Sequence, residues 1–298
     1  MLNLNHPRDS DTHTIADFTE ILCLLTQDRF CSGDNVRDHI RDDGDKPPPS
    51  EDAMIDTFSQ LQWRASAFGD YYPFTLRSAG RVLHAEENLT EKQKIYAFLL
   101  LCANLPFISN GLQSLTDSFE RASKIVLERI WPAAGTVKAF GKNETDFTGT
   151  KWERLNTLGM KIGGDPHLLQ EQFRPRDTGD GGIDLVAWHE LDTYENRHIP
   201  SALAQCACSR TEWSPKQSSI SAGRLGRHLR PSHPWMEMIF IPHCFRNNAG
   251  RWAYDFDIGE PIVMDRLRLT LNLTEGDIQH IAFPQVFRDF LNERLALV

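Results

Sequence analysis

The stretch that decides the fold is GDGGIDLVAW at residues 179–188, answered by ALAQCACSRTEWSPK at 202–216. The opening Gly-Asp-Gly-Gly is a turn signal, because glycine accepts positive φ at little steric cost. After it, Ile183, Leu185 and Ala187 alternate with Asp184, Val186 and Trp188, which is the period of a strand. In the second stretch Gln205 and Ala207 share one strand face, opposite Ala204, Cys206 and Cys208. A carboxylate at the start of an apolar strand is costly to bury unless something cationic or a set of donors meets it. A metal ion, a lysine or a cluster of backbone amides would each meet that demand.

Downstream, the spacing predicts a helix over 214–229, a strand over 235–242, strand-like segments at 253–256 and 262–267, and a closing helix over 277–295. Immediately upstream, a short helix is expected over 150–161 and a strand within 167–174. Helices and strands interleaved in this way form an α/β fold around one central sheet. The N-terminal side reads differently. Apolar residues recur at helical spacing over 14–30, 51–68, 90–101 and 112–130, and the helix after Thr90 is apolar nearly all round. Residues 1–12 are expected to fray. Residues 32–51, dense in Asp and Pro, are expected to form an acidic surface loop, and 74–86 has no clear period. Turn residues cluster in 133–149. The expected organisation is therefore an all-α N-terminal region at 1–135, regulatory or partner-binding, and an α/β domain at 136–298.

The 298 residues are 40% hydrophobic and 24% charged, ordinary for a globular chain with a sizeable core. No apolar run is long enough to cross a bilayer and no basic-then-apolar leader opens the chain. The expectation is a cytoplasmic protein with no membrane partner and with its six cysteines reduced. The net charge of −9 is uneven. Residues 1–60 hold 13 acidic against 5 basic residues, whereas 205–230 hold Arg210, Lys216, Arg224, Arg227 and Arg230 against Glu212 alone. The acidic face suits a protein partner, and the local basic one suits a nucleic-acid backbone.

With the two strands as sheet neighbours, Asp184 and Gln205 face a shared cleft. A carboxylate, an amide oxygen and the Cys206 carbonyl make a hard-oxygen set suited to Mg²⁺ or Mn²⁺. Glu153, on the preceding helix, is a candidate second carboxylate. Lys216 is the candidate ammonium beside the attacking water. Cys206 and Cys208 with His243 and Cys244 leave open a zinc-stabilised interaction module. No P-loop, dinucleotide fingerprint or G-x-S-x-G elbow is present, which sets aside the common ATPase, dehydrogenase and hydrolase chemistries.

The G-D-G-G-I-D of 179–184, followed one strand later by the Q-C-A of 205–207, resembles the PD-(D/E)xK restriction-endonuclease-like superfamily, in particular the modified-DNA restriction enzymes with their G-x-D and Q-x-K signature. The resemblance covers about residues 150–245. It implies a restriction-endonuclease-like core, a central mixed sheet flanked by helices. It implies that Asp184 is a metal ligand and that Gln205 holds the family's Glu or Gln position. The family lysine falls at 207, where this chain has Ala207; members that carry it on the following helix make Lys216 the replacement. The activity implied is that of a Mg²⁺- or Mn²⁺-dependent DNA endonuclease, the nuclease of a bacterial anti-phage or restriction system. Asp184, Gln205, Cys206 and Glu153 would serve the metal, and Arg210, Arg224, Arg227 and Arg230 the DNA. A homodimer would allow both strands to be cut. The departure at Ala207 keeps a second expectation, an inactive nuclease-like subunit that binds DNA or a partner protein.

Overall fold

The carboxylate of Asp11 accepts the amides of His13 and Thr14 at 2.9 and 3.1 Å and so opens α1 (Thr12–Leu25), a helix buried along almost its whole length. In this computed structural model residues 4, 7, 11–42, 47–141, 143 and 145–295 are described. The expectation of fraying over 1–12 therefore falls mostly outside the described residues. The chain divides into two compact units. One is Met1–Ser118 with Pro242–Asp255 and Arg266–Val298; the other is Phe119–Ile241 with Phe256–Asp265.

In the first unit, β1 (Phe30–Ser32) leads into α2 (Gly33–Asp42). The acidic loop expected over 32–51 is thus helical as far as Asp42. Ser32 and Asn35 exchange hydrogen bonds at its start, and Val36 and Ile40, four residues apart, bury its inner face. Two apolar positions among so many charges were too few to show a period. α3 (Glu51–Phe68) starts at the N-cap Ser50. The 74–86 segment is a hairpin of β2 (Phe74–Arg77) and β3 (Val82–Ala85), turned through Ser78, Ala79 and Gly80, all at positive φ. With β1 they form a three-stranded antiparallel sheet in the order β1-β3-β2, so residues 1–135 are not the all-α region expected: the short strands are paired by contacts distant in sequence that helical spacing does not show. α4 (Glu91–Cys102) begins in a capping box of Thr90 and Gln93 and is buried on every side from Ile95 onward.

The second unit takes up α5 (Leu112–Ile130) from Phe119 onward. It continues through β4 (Thr136–Ala139), α6 (Lys151–Lys161), β5 (Leu185–Trp188), β6 (Ser201–Cys206), α7 (Trp213–Lys216), α8 (Ala222–Leu229), β7 (Met236–Phe240) and β8 (Ile262–Met264). The five strands lie in sequence order. β4, β5 and β6 are antiparallel neighbours, and β6, β7 and β8 run parallel. Every residue of β5 and β6 is buried, as a sheet covered on both faces requires. Val186, Trp188 and Leu203 pack with Leu155 and Leu158 of α6 and with Leu225 and Leu229 of α8. The α/β expectation with one central mixed sheet holds for this unit.

Several expected elements change form. Residues 167–174 hold a 3-10 turn, Gln170–Gln172, in place of a strand. The helix expected over 214–229 is broken: after α7 comes a 3-10 turn, Gln217–Ile220, and Ser221 then adopts extended backbone and caps α8 through its hydroxyl. Residues 253–256 run into a 3-10 turn, Asp255–Asp257. The closing helix is interrupted by the left-handed Ala282, which divides α10 (Ile278–Ile281) from α11 (Gln285–Asn292).

The division expected at 135/136 also differs, because α9 (Arg266–Leu271), α10 and α11 belong to the first unit. Phe283 and Phe287 pack against Phe98 of α4, and an ion-pair cluster ties in α9. Asp17 and Glu20 are fully buried on α1 and need cations there. Arg64 Nη1 lies 2.8 Å from each carboxylate, and Arg266, from the C-terminal segment, meets Asp17 at 3.0 Å. Tyr72 and Tyr96 donate to Glu20 at 2.7 and 2.9 Å.

Candidate active site around Asp184

The turn ahead of Asp184 is held by three cations. Lys151, at the start of α6, pairs with Asp177 at 2.9 Å. Arg154, one helical turn on, donates to the carbonyl of Thr178 at 2.9 Å and to those of Phe140 and Gly141 at the end of β4. Arg224 of α8 donates from Nη1 to the carbonyls of Gly181 and Ser219 at 2.6 and 2.5 Å. Within the turn, Asp180 accepts the amide of Gly182 at 2.7 Å. Gly181 and Gly182 sit at φ +71 and +83, and a Cβ at Gly182 would lie 2.9 Å from Cβ of Ser219. Both glycines are required by this path.

Asp184 follows, one residue before β5. Its amide donates to the carbonyl of Ala204 at 2.9 Å and its carbonyl accepts the amide of Phe140 at 2.7 Å, so the backbone is pinned to the strands on either side. The side chain is 6% exposed and Gln205 is 7% exposed. Oδ2 of Asp184 accepts the amide of Cys206 at 2.7 Å and Nε2 of Gln205 at 2.5 Å. The same Nε2 lies 3.4 Å from the carbonyl oxygen of Cys206. Oε1 of Gln205 is buried without a hydrogen-bond partner. The sequence pairing of these two residues across neighbouring strands is thus realised in the structure.

Burial pushes the Asp184 carboxyl up from its ordinary 3.8 to about 7; the Asp180 carboxylate adds to the rise, while the Cys206 amide and the Lys216 ammonium oppose it. Lys216, half-buried at the end of α7, is therefore within electrostatic reach of Asp184. Ala207 is fully buried just past the end of β6.

These groups fit a hard divalent cation. A buried carboxylate that resists ionisation gains most from a positive charge. Turning the Gln205 amide by 180° exchanges its oxygen and nitrogen. The orphaned oxygen then sits beside both the Asp184 carboxylate and the Cys206 carbonyl, where the nitrogen now donates. Among the described residues no three His, Cys, Asp or Glu side chains gather as a metal-holding group, so a cation here would depend on amide and carbonyl oxygens.

Glu153 does not share in this arrangement. It is the third residue of α6, exposed, and accepts the Thr150 amide at 2.7 Å and the Thr150 hydroxyl at 2.9 Å in a capping box, which lowers its pKa. A residue three past a helix N-cap reads as easily as a cap as it does as a ligand, and here the cap wins. Asp180, within the Gly-Asp-Gly-Gly turn, both closes that turn and bears on Asp184. Its signal was its place four residues ahead of Asp184 in a turn too tight to separate the two. Glu120 of α5 bears on the thiols of Cys206 and Cys208, and burial drives both pKa values up, so they stand as protonated thiols. Of the four arginines, Arg224 is bound to the turn, Arg227 donates to His228 at 3.0 Å, Arg230 meets His167 at 3.2 Å, and Arg210 is half-buried just past β6. Trp213 and Trp235 are buried packing residues.

No model of a known protein family matches the chain, and neither a curated protein nor a solved structure matches it.

Proposed function

We propose that the second unit is a metal-dependent endonuclease acting on DNA. The observation that carries the reading is the joining of Asp184, Gln205 and the Cys206 backbone in one buried cluster that holds an unpartnered amide oxygen, with Lys216 in electrostatic reach. A divalent cation bound there would supply Lewis acidity to a phosphodiester and charge compensation for Asp184. The chain's own groups supply the rest. The Cys206 amide fixes Oδ2 of Asp184 and so aims the other carboxylate oxygen. The Lys216 ammonium stabilises negative charge that builds on the phosphoryl oxygens as a water oxygen attacks phosphorus and one P–O ester bond breaks, the departing alcohol taking a proton. Basic residues of α8 and its flanks meet the strand's phosphates. A mixed sheet flanked by helices agrees with the restriction-endonuclease-like core that the resemblance implies. A role in an anti-phage or restriction system is part of the same proposal, as are a protein partner for the acidic first unit and a homodimer for double-strand cutting.

Ala207 favours one other reading, an inactive nuclease-like subunit that binds DNA or a partner. Plasmid nicking separates the two. Wild type incubated with Mg²⁺ should nick supercoiled DNA, and wild type in chelator or Asp184→Ala in Mg²⁺ should not. Equal activity in wild type and Asp184→Ala would remove the metal-site assignment, and no nicking by wild type in Mg²⁺ or Mn²⁺ would favour the inactive subunit. Among the described residues no helix is long and apolar enough to cross a membrane.

A further inference from the structure

Against the outer side of the Asp184 turn lies an open cavity of about 660 Å³, a volume in the range of small-molecule sites. Its apolar wall includes Leu168, Phe173 and Leu225; Phe173 packs partly on the core of the unit and leaves the rest of its ring to the cavity. Its rim carries cations, and these divide into two kinds. Lys151 is matched by Asp177, and Arg224 is committed to the carbonyls of Gly181 and Ser219. Arg174 and Arg227 are exposed; Arg174 shares the Asp177 carboxylate electrostatically with Lys151, and Arg227 donates to a ring nitrogen of His228, whose pKa burial lowers, so that this neutral partner leaves the Arg227 charge uncompensated. Planar guanidinium groups suit a phosphate, and an aromatic ring on an apolar wall suits a planar heterocycle. Together these are the requirements of a phosphorylated nucleoside. Gly181 also lines the cavity, three residues before Asp184 in the chain.

We infer that this cavity holds one unstacked nucleotide of the substrate strand, its base against Phe173 and the apolar wall and its phosphate on Arg174 and Arg227. The nuclease reading supplies the strand; the ligand chemistry is read from the cavity alone. A nucleotide anchored there would hold its strand beside the Asp184 turn, and the site would favour DNA in which a base is free to leave the stack. A free mononucleotide has the same chemistry, and the experiment distinguishes the two sources.

Binding is measured by fluorescence anisotropy of a labelled single-stranded oligonucleotide and of its fully paired duplex, on the whole protein in chelator so that no cleavage intervenes. The single strand should bind at least about tenfold more tightly than the duplex. A nucleoside monophosphate should displace it at concentrations where inorganic phosphate does not. Arg174→Glu/Arg227→Glu, both exposed positions, should fold as wild type by circular dichroism and lose about tenfold or more in affinity for strand and mononucleotide alike. Phosphate competing as well as the mononucleotide, or wild-type affinity in the double variant, would overturn the inference. A labelled mononucleotide that binds but is not displaced by the oligonucleotide overturns the strand as source and assigns the cavity to a free nucleotide. Asp184→Asn should keep its strand affinity while losing cleavage. Strand binding without cleavage by wild type in either Mg²⁺ or Mn²⁺ would end the nuclease reading alone, and cleavage with unaltered affinity in the double variant would end the cavity assignment alone.

Discussion

Asp184→Asn should make the metal-free protein more stable, and only above a definite pH. Burial raises the Asp184 carboxyl from 3.8 to about 7. A group whose pKa is raised by folding favours the folded state below its unfolded value and loses that contribution as pH rises through the folded one. Each pH unit across this interval is worth about 1.4 kcal/mol, so wild type should lose about 4 kcal/mol between about pH 4 and pH 7 through this residue, and no more above it. Asparagine keeps the shape and the acceptor for the Cys206 amide but has no charge to desolvate. The assay is urea unfolding of both proteins in chelator at a series of pH values. Their difference should be near zero at pH 4, grow with rising pH and level off above pH 7, with the variant the more stable. Mg²⁺ at a hundred times its Kd should then raise wild type by about 2.7 kcal/mol and leave Asp184→Asn nearly unmoved. A difference independent of pH, or a variant less stable than wild type at pH 8, would refute the reasoning.

Lys216→Met should lower plasmid nicking by about 10²–10³-fold, the usual consequence of losing one electrostatic stabiliser, with little change in DNA affinity; nicking rates under saturating DNA check this. Gly182→Ala meets both a left-handed backbone and Ser219 at 2.9 Å, and should cost about 1–3 kcal/mol in urea unfolding together with most of the activity. Glu153→Gln retains an acceptor for the Thr150 amide, so nicking should stay at the wild-type rate, with at most about 1 kcal/mol lost in unfolding.

The heart of the site was legible because it depends on strand alternation. Once 179–188 and 202–206 are neighbouring strands, period two together with the register that sets Leu185 opposite Ala204 puts Asp184 and Gln205 on the same face, and Asp184 and Cys206 then bond within the same pair of strands. The long helices were legible for a similar reason, since caps such as Ser50, Thr90 and Thr150 and their apolar stripes are local signals. What escaped depends on contacts distant in sequence. Glu153 was ambiguous until the Thr150 cap claimed it. Arg154 and Arg224 carry no signal that they brace the turn, because their partners are backbone carbonyls. The return of Arg266 to the first unit answers two carboxylates far earlier in the chain, Asp17 lying 249 residues away. The break at Ser221 falls where one residue leaves helical backbone, which apolar spacing does not register, whereas the break at Ala282 stands two residues ahead of Pro284, the N-cap of α11, a signal that was present in the sequence.

The most direct test of the central claim is a crystal of the protein soaked in Mn²⁺ and measured at a wavelength where manganese scatters anomalously. An anomalous peak should lie about 2.1–2.3 Å from a carboxylate oxygen of Asp184 and from Oε1 of Gln205, with the Gln205 amide turned to present its oxygen. The absence of an anomalous peak beside either residue in the Mn²⁺-soaked crystal would contradict the account.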